Sequence, residues 1–315
     1  MKTKMRKWNV VMLVALISLF AACSKDEPAA VGQAEFQVTD APSDDASIKS
    51  VFVTIAEVRV DGKAISGFTK QSIDLKAYQN GNVKSLGTSQ LTAGTHSQVT
   101  FVLDVDHDAD GNVPGCYVQT TDNTKYKLGT TSAVEIDVTK TWNLAANAST
   151  TLVADFDIRK AIKWSADNSI RYAFVSSSNL QASVRVVDKM SAGTLNGTYT
   201  EQNSSNADKV VVYAYKKGTF NASTETLAQG DDAIYFQNAV SSAEVTGVAT
   251  KNYTLAFLED GDYELHFAAY AQDTSTGRFN FQTMLTSQIT VNGSVADFVT
   301  VSGNASVSVS SLINL

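Results

Sequence analysis

Beyond residue 30, apolar and polar residues alternate in short runs, and the 3.6-residue period of an amphipathic helix is almost absent. In residues 151–158, for example, Leu152, Ala154 and Phe156 fall on one face of an extended strand. Successive side chains of a β-strand point to opposite sides of the sheet, so this period of two indicates strands with one buried face. Proline, which interrupts sheets, occurs only three times. The pattern therefore predicts an all-β fold.

Two stretches make more detailed predictions. In residues 50–60 the apolar side chains occupy odd positions up to Ile55 and even positions from Val58 onward, which predicts a β-bulge near Ala56 and Glu57. Residues 253–258 and 263–270 are two apolar runs separated by four acidic or glycine residues. A turn between two strand patterns predicts a hairpin, with Tyr263 at the start of its core-facing side.

The length of the chain predicts two domains, because about 290 residues remain after a cleaved leader and domains usually hold 100–200 residues. Two antiparallel β-sandwiches in tandem fit the number and spacing of the strand patterns. The predicted divisions are a signal peptide (1–22), a tether (23–32), a first sandwich (33–188) and a second, smaller sandwich (189–315).

The amino terminus has the three parts of a bacterial secretory signal. Basic residues are followed by a short apolar run, and small residues lead to Cys23. This arrangement resembles a lipoprotein lipobox, in which Cys23 becomes the lipidated first residue of the mature protein. We expect a soluble body tethered to the outer membrane by acyl chains. Lys25-Asp26-Glu27 resembles a surface-export signal of Bacteroidota, which favours the cell surface, and the periplasmic face of the membrane is the alternative.

Charge limits the partners of this chain. Cleavage after residue 22 removes four basic and no acidic residues, leaving 21 basic against 32 acidic residues. A surface this acidic argues against nucleic acid as a partner, since nucleic acid requires basic patches, and it suits divalent cations. Cys116 would be the one remaining thiol, so no internal disulfide is expected, and a buried, unreactive cysteine is the simpler interpretation.

Three stretches of the first half resemble a known family. They are residues 38–42 with 51–58, residues 91–103, and residues 155–162 followed by the strand pattern at 184–187. In this order they resemble an uncharacterised lipoprotein domain of Bacteroidota, the domain of unknown function numbered 4382, over about residues 33–188. The resemblance implies a β-sandwich on an exported lipoprotein and implies no activity. Residues 197–199, 211–215 and 261–265 resemble small sandwich modules of the transthyretin or carboxypeptidase-regulatory type.

The sharpest local motif is a run of alternating aspartates, Asp106, Asp108 and Asp110, followed by Gly111. Carboxylates at this spacing before a glycine match the start of a calcium-binding loop. The twelfth position of such a loop is Tyr117 instead of a bidentate glutamate, so the ligand set is incomplete. A Ca²⁺ site is therefore one hypothesis, and a solvated acidic turn is the alternative.

Other candidate groups have simpler interpretations. Asp155 and Asp157 share one strand face and could serve a hydrolase, although such pairs commonly lie on the solvent side of an edge strand. Four aromatic residues could supply surface for stacking on sugars or could pack in a core: Trp142, Trp164, Tyr213 and Tyr215. The sequence contains no nucleophile elbow, phosphate-binding glycine loop or zinc signature.

These observations predict a protein that is not an enzyme, with no catalytic residues. We expect a membrane-anchored binding or accessory module for a glycan or protein ligand, whose ligand-binding residues the sequence does not reveal. One alternative is a fimbrial or adhesin subunit that donates a strand to a neighbour, for which residues 302–310 are the candidate strand. The second alternative is a hydrolase whose motif is not recognised.

Overall fold

The computed structural model describes residues 29–42 and 45–314. The predicted signal peptide, Cys23 and most of the predicted tether lie outside the described residues. Within those two ranges, no helix combines the length and the apolar character needed to cross a membrane. The described residues form 22 β-strands, three short α-helices and three 3-10 turns, which confirms the predicted all-β fold class.

The first half of the chain contains thirteen of the described strands. They are β1 (Val31–Asp40), β2 (Ile48–Val60), β3 (Lys63–Ala64), β4 (Gln71–Asp74), β5 (Lys84–Thr92), β6 (Gly94–Asp104), β7 (Tyr117–Thr120), β8 (Lys125–Lys127), β9 (Ala133–Leu144), β10 (Ser149–Phe156), β11 (Ile162–Trp164), β12 (Tyr172–Phe174) and β13 (Val184–Asp188). Helices span Ile158–Ala161 and Ser177–Ala182, and 3-10 turns span Leu75–Ala77 and Asn168–Ile170.

These strands form two main sheets. One has the order β13-β10-β1-β5, and the other has the order β8-β7-β2-β6-β9 with β3 and β4 paired to β2. Side chains of both sheets meet in one apolar core, where Phe101 of the second sheet packs edge-on against Phe156 of the first at a ring-centroid distance of 5.7 Å. Two sheets that close over a shared core make a β-sandwich. The remaining strands, β11 and β12, pair only with each other among the described strands.

The second half follows the 3-10 turn Lys189–Ser191. Its strands are β14 (Ala192–Glu201), β15 (Lys209–Lys216), β16 (Ser241–Glu244), β17 (Lys251–Glu259), β18 (Gly261–Gln272), β19 (Phe279–Val291), β20 (Ser294–Ala296), β21 (Val299–Val301) and β22 (Ser306–Asn314), and a helix spans Ala222–Glu225. They form one sheet in the order β16-β15-β18-β19-β22-β14-β17, with β20 paired to β19 and β21 to β18.

This long sheet folds over its own core at β19. Residues of β19 up to Leu285 pair with β18, and residues from Thr286 pair with β22. The two arms enclose a second apolar core that includes Tyr199 of one arm and Phe267 of the other, with ring centroids 5.6 Å apart. A separate set of apolar residues, from residue 34 to residue 186 together with Ile234, forms the core of the first half.

The predicted bulge is confirmed, because the register of β2 against β6 shifts between Ile55 and Glu57. The sequence analysis predicts antiparallel sandwiches, and most described strand pairs are antiparallel. Two pairs differ: β1 runs parallel to β10, and β14 runs parallel to β22. Alternation of apolar residues indicates which face of a strand is buried, and it carries no information about the direction of the neighbouring strand.

The predicted hairpin at residues 253–270 is wrong in its pairing. Both strands form, as β17 and β18, and Tyr263 is fully buried as expected. However, β17 pairs with β14, whereas β18 pairs with β15 and β19. The chain between them crosses from one arm of the folded sheet to the other. Turn residues end a strand in either case, so the local pattern does not distinguish a hairpin from such a crossing.

The strand considered for donation to a neighbour is paired on both sides within the same chain. β22 lies between β14 and β19, with Val309 opposite Gly197 of β14 and Val291 of β19. In this structure it has the position of an ordinary closing strand inside a sheet.

Candidate functional site

A segment of the second half, residues 221–240, lies against the first half; we call it the seam segment. Its Ile234 is 5% exposed and belongs to the apolar core of the first half. The ammonium group of Lys160 donates a buried hydrogen bond of 2.7 Å to the carbonyl of Ala239 in this segment. The two halves are thus joined by both apolar and polar contacts.

Asp232 is the polar centre of this junction. Its Oδ1 is 3.0 Å from Nζ of Lys163, and its Oδ2 accepts hydrogen bonds from the backbone and hydroxyl of Ser176 (2.8 and 2.7 Å) and from Asn179 (2.8 Å). Burial alone would raise the pKa of Asp232, but these hydrogen bonds hold it well below its ordinary range. A carboxylate with this many donors fixes the seam segment on the first half.

Glu225 anchors the seam segment within the second half. The carboxylate is 1% exposed and accepts hydrogen bonds from the hydroxyl of Tyr215 (2.7 Å), the backbone N–H of Asn238 (3.1 Å) and the side-chain amide of Asn238 (2.6 Å). Burial alone would raise the pKa of Glu225, but these donors lower it. The segment is therefore held at both ends.

The backbone of the seam segment is strained at two positions. Ala233 and Phe236 have φ angles of 53° and 50°, in the left-handed region that side chains other than glycine rarely adopt. Phe236 is fully buried, and its ring stacks on that of Tyr213 with centroids 4.1 Å apart and an interplanar angle of 13°. Strain of this kind persists where surrounding contacts enforce it, and it concentrates at functional sites.

Between the seam segment and the first half lies a partly enclosed cavity of about 470 Å³, which we call the seam cavity. Ligand pockets commonly have volumes of about 300–1,000 Å³. Six aromatic residues from both halves line it: Trp164, Tyr172, Tyr235, Tyr270, Phe279 and Phe281. The charged residues in its wall are Arg159, Lys163, Arg278, Asp45 and Asp232. The cavity thus combines aromatic surface with a few polar groups, as binding sites for small ligands do.

On one wall of the seam cavity, Arg278 lies over the ring of Trp164, with its guanidinium carbon 5.0 Å from the ring centroid. The Nε–H of Arg278 and the indole N–H of Trp164 are both buried without an acceptor in the described part of the chain. On another wall, Tyr172 donates a hydrogen bond of 2.7 Å to Asp45, and burial raises the pKa of this phenol. Trp164 and Tyr172 are therefore each in contact with a charged neighbour.

Of the four aromatic residues that the sequence analysis proposes for sugar stacking, only Trp164 lines this cavity. Trp142 is buried in the first half and stacks on His96 with centroids 4.4 Å apart. Tyr213 and Tyr215 are fully buried behind the seam segment. These three have the core or seam positions that the sequence analysis holds as the alternative.

The structure does not gather Asp106, Asp108 and Asp110 around a common point. Oδ1 of Asp106 is 2.5 Å from Nζ of Lys127, and Oδ1 of Asp108 accepts hydrogen bonds from the backbone N–H groups of Asp110 (2.9 Å) and Asn112 (2.7 Å). Nowhere in residues 29–42 and 45–314 do three acidic, histidine or cysteine side chains form a group able to hold a metal ion. The contacts favour the acidic turn over the Ca²⁺ loop.

Asp155 and Asp157 do not lie on a solvated strand face, so that interpretation is wrong. Both are more than nine-tenths buried: Asp155 lies in β10, between β1 and β13, and Asp157 directly precedes the helix Ile158–Ala161. Asp155 pairs with Arg185 at 2.6 Å, and Asp157 pairs with Arg159 at 2.8 Å. Arg185 also donates to the carbonyl of Phe257 in the second half at 2.5 Å. Both carboxylates are thus engaged by arginine side chains. These contacts favour a structural role for the two acids over the hydrolase hypothesis.

The comparison with protein families concerns this same first half. Residues 31–175 match the family described as a domain of unknown function, DUF4382. This confirms the resemblance stated in the sequence analysis. The matched residues supply one side of the seam cavity, including Trp164 and Tyr172, while the seam segment and Arg278 lie outside them.

The solved structures that match this chain have low sequence identity and low structural similarity to it. A leucine-rich repeat protein of Bacteroides thetaiotaomicron is 12% identical with a TM-score of 0.25, and the alignment covers 90% of this chain but only 26% of that protein. The major pilin subunit of Bacillus cereus is 8% identical with a TM-score of 0.23 (90% and 70% covered), and the major pilin of Streptococcus pyogenes is 10% identical with a TM-score of 0.20 (91% and 100% covered). These scores are too low to support an argument about function. No curated protein matches the chain.

Sequence reasoning did not find most of the residues of the seam cavity. The alternating pattern places Phe279 and Phe281 together on one face of β19, and from sequence alone that face is predicted to belong to a core. Arg278, Tyr235 and Asp232 stand in no recognisable motif. The one sequence signal that pointed to this site was the pair Phe279 and Phe281 on one face of β19. The cavity forms between the two halves, so the pattern of either half by itself does not reveal it.

Proposed function

We propose that this protein is a lipid-anchored surface module, without catalytic activity, that binds a glycan in the seam cavity. The observation that carries the proposal is the cavity itself, where aromatic rings of both halves surround a volume suited to a small ligand. Aromatic faces pack against the apolar faces of sugar rings, and polar groups at their edges bind hydroxyls. A protein ligand, the other possibility in the sequence analysis, would use a broader and flatter surface.

The anchor belongs to the same proposal. Lipidation at Cys23 would hold the acidic β-structure on the outer membrane, with the cell surface as its proposed location. Replacing Cys23 with serine should move the protein from the membrane fraction to the soluble fraction, and mass spectrometry of the wild-type amino terminus should show acyl chains. An unmodified Cys23 at the mature amino terminus, or cleavage at another bond, contradicts this part of the proposal.

The binding test is calorimetric titration of the mature Cys23→Ser chain with a panel of oligosaccharides. Trp164→Ala should weaken the binding of any saccharide that the wild type binds by at least about tenfold, because truncated aromatic anchors at the centre of a site commonly cost this much. Phe298→Ala is a matched control, since Phe298 is an aromatic residue beneath a cation, Lys217, and does not line the cavity. The proposal is contradicted if the wild type binds no saccharide saturably, or if Trp164→Ala and Phe298→Ala lose the same amount of affinity.

A further inference from the structure

The charges that line the seam cavity are unequally compensated. Lys163 pairs with Asp232, and Arg159 pairs with Asp157 just behind the wall. Arg278 forms no ion pair with a carboxylate of the described residues, and its guanidinium lies against the ring of Trp164. The positive charge of Arg278 at the cavity wall is therefore not neutralised by an ion pair with a described carboxylate, although the chain as a whole has a formal net charge of −7.

The position of Arg278 is fixed by its surroundings. Its backbone forms a β-bridge with Asp45, and Asp273 N–H donates to its carbonyl at 2.7 Å. The cation–π contact with Trp164 restrains the guanidinium over an aromatic face, and the side chain of Arg278 as a whole is only half-buried. A planar, preoriented guanidinium is suited to bind a carboxylate or sulfate through two parallel hydrogen bonds.

From these observations we infer that the glycan of the seam cavity is an acidic one, bearing a carboxylate or sulfate group, and that Arg278 binds that group. The inference rests on the proposed function, and it adds the charge of the ligand and the residue that selects it. Trp164 would then serve twice, stacking on a sugar ring and supporting the guanidinium. The acidic surface elsewhere would repel such a ligand, so Arg278 would provide the local attraction.

The test uses pairs of oligosaccharides that differ only in charge: uronate oligomers and their carboxyl-reduced forms, sialylated glycans and their desialylated forms, and sulfated glycans and their desulfated forms. Each is titrated into the mature Cys23→Ser chain and into three variants, Arg278→Gln, Arg278→Lys and Lys217→Gln. Lys217 is the matched control because it also lies over an aromatic ring, at 3.4 Å from the centroid of Phe298, away from the cavity. Thermal melts confirm that each variant is folded.

The inference predicts that the wild type binds one charged glycan at least about tenfold more tightly than its neutral partner, as expected for hydrogen bonds to a charged group. Arg278→Gln should bring the two affinities together, Arg278→Lys should retain part of the difference, and Lys217→Gln should retain all of it. The preference should also shrink as salt is added.

The outcomes distinguish this inference from the proposed function. If the wild type binds saccharides with no preference for charge, or if Arg278→Gln leaves the preference unchanged, the inference is wrong while the glycan proposal stands. If no saccharide of either kind binds, both are wrong. If Arg278→Gln does not fold, the partial loss expected for Arg278→Lys and the salt dependence decide the question, and a salt-independent preference overturns the inference.

Discussion

The hydroxyl of Tyr215 donates a hydrogen bond of 2.7 Å to the carboxylate of Glu225, and neither side chain is more than 1% exposed. Asn238 supplies two further donors to the same carboxylate. This small network ties the start of the seam segment to its end and to strand β15. Glu225 therefore helps to hold the seam segment, which forms one wall of the seam cavity.

Replacing Glu225 with alanine should destabilise the protein by about 2 kcal/mol, because the buried hydroxyl of Tyr215 and two donors of the exposed Asn238 would lose their acceptor. Denaturant unfolding measures the change. Glu264→Ala is the control, since Glu264 accepts an exposed hydrogen bond of 2.8 Å from the N–H of Gly218 and has only a long contact of 3.5 Å with Nε2 of His266. Its loss should cost less than about 1 kcal/mol. Equal effects of the two substitutions would contradict the role given to Glu225.

Asp232 should make stability depend on pH in acid. Its folded-state pKa lies below the ordinary value of about 3.9, so its contribution is complete above that pH and is lost as the pH falls through the folded value. Asp232→Asn should therefore be less stable than the wild type at pH 7, and the difference should shrink as the pH is lowered below about 4. Asp231→Asn is the control, because Asp231 is the exposed neighbour of Asp232. A difference that stays constant from pH 7 to pH 3 contradicts this prediction.

Asp40 should have the opposite effect. Burial raises the pKa of this carboxyl well above its ordinary value, and nearby Asp155 and Asp157 add to the shift, although a hydrogen bond from Gln79 opposes it. The folded state then holds a proton that the unfolded chain releases near pH 3.9, so stability is lost as the pH rises from about 4 through the folded pKa.

We therefore expect Asp40→Asn to be more stable than the wild type at pH 7 and equal to it near pH 4. Denaturant unfolding at several pH values measures the difference. Asp155→Asn provides the contrast, since it removes the partner of Arg185 and should destabilise the protein by about 2 kcal/mol at pH 7. Destabilisation of similar size in both variants would show that Asp40 is charged in the folded state.

Cys116 should be inert in the folded protein. The thiol is fully buried, and burial raises its pKa to about 12, although a hydrogen bond from the backbone of Thr54 opposes the shift. Since the thiolate is the reactive form, a thiol reagent at pH 8 should leave the folded Cys23→Ser chain unmodified and should label it fully in denaturant. Rapid labelling of the folded chain would contradict the buried position.

Calcium should not stabilise the protein through the loop of Asp106, Asp108 and Asp110. Asp106 is paired with Lys127, and Asp108 is occupied by backbone donors of its own turn. A cation that bound the folded state would raise the melting midpoint, so the melts in calcium and in chelator should coincide. If the two melts differ, the variant Asp108→Asn shows whether the loop is responsible. A calcium-dependent rise in the midpoint that disappears in this variant would establish the loop as a calcium site and contradict the prediction.

The sequence predicted the strands better than their partners. The phase shift after Ile55 locates a bulge, because a side chain can change faces only where the strand gains a residue. By contrast, strands β17 and β18, on either side of Asp260, were expected to pair with each other and instead belong to different arms of the sheet. Strand patterns and turns are local properties, whereas pairing depends on which distant strand offers a complementary edge.

The sequence by itself determined the strand character of the chain, the burial of residues such as Tyr263, and the resemblance of the first half to DUF4382, since each depends on residues close together along the chain. Only the tertiary structure decided that Asp155 is buried against Arg185, and that Arg278 lies over Trp164 beside an aromatic cavity. Those contacts join residues of sequence-distant strands. The Asp155–Arg185 pair gains its energy from burial within the first half, whereas the cavity beside Arg278 and Trp164 exists only once the two halves have packed together.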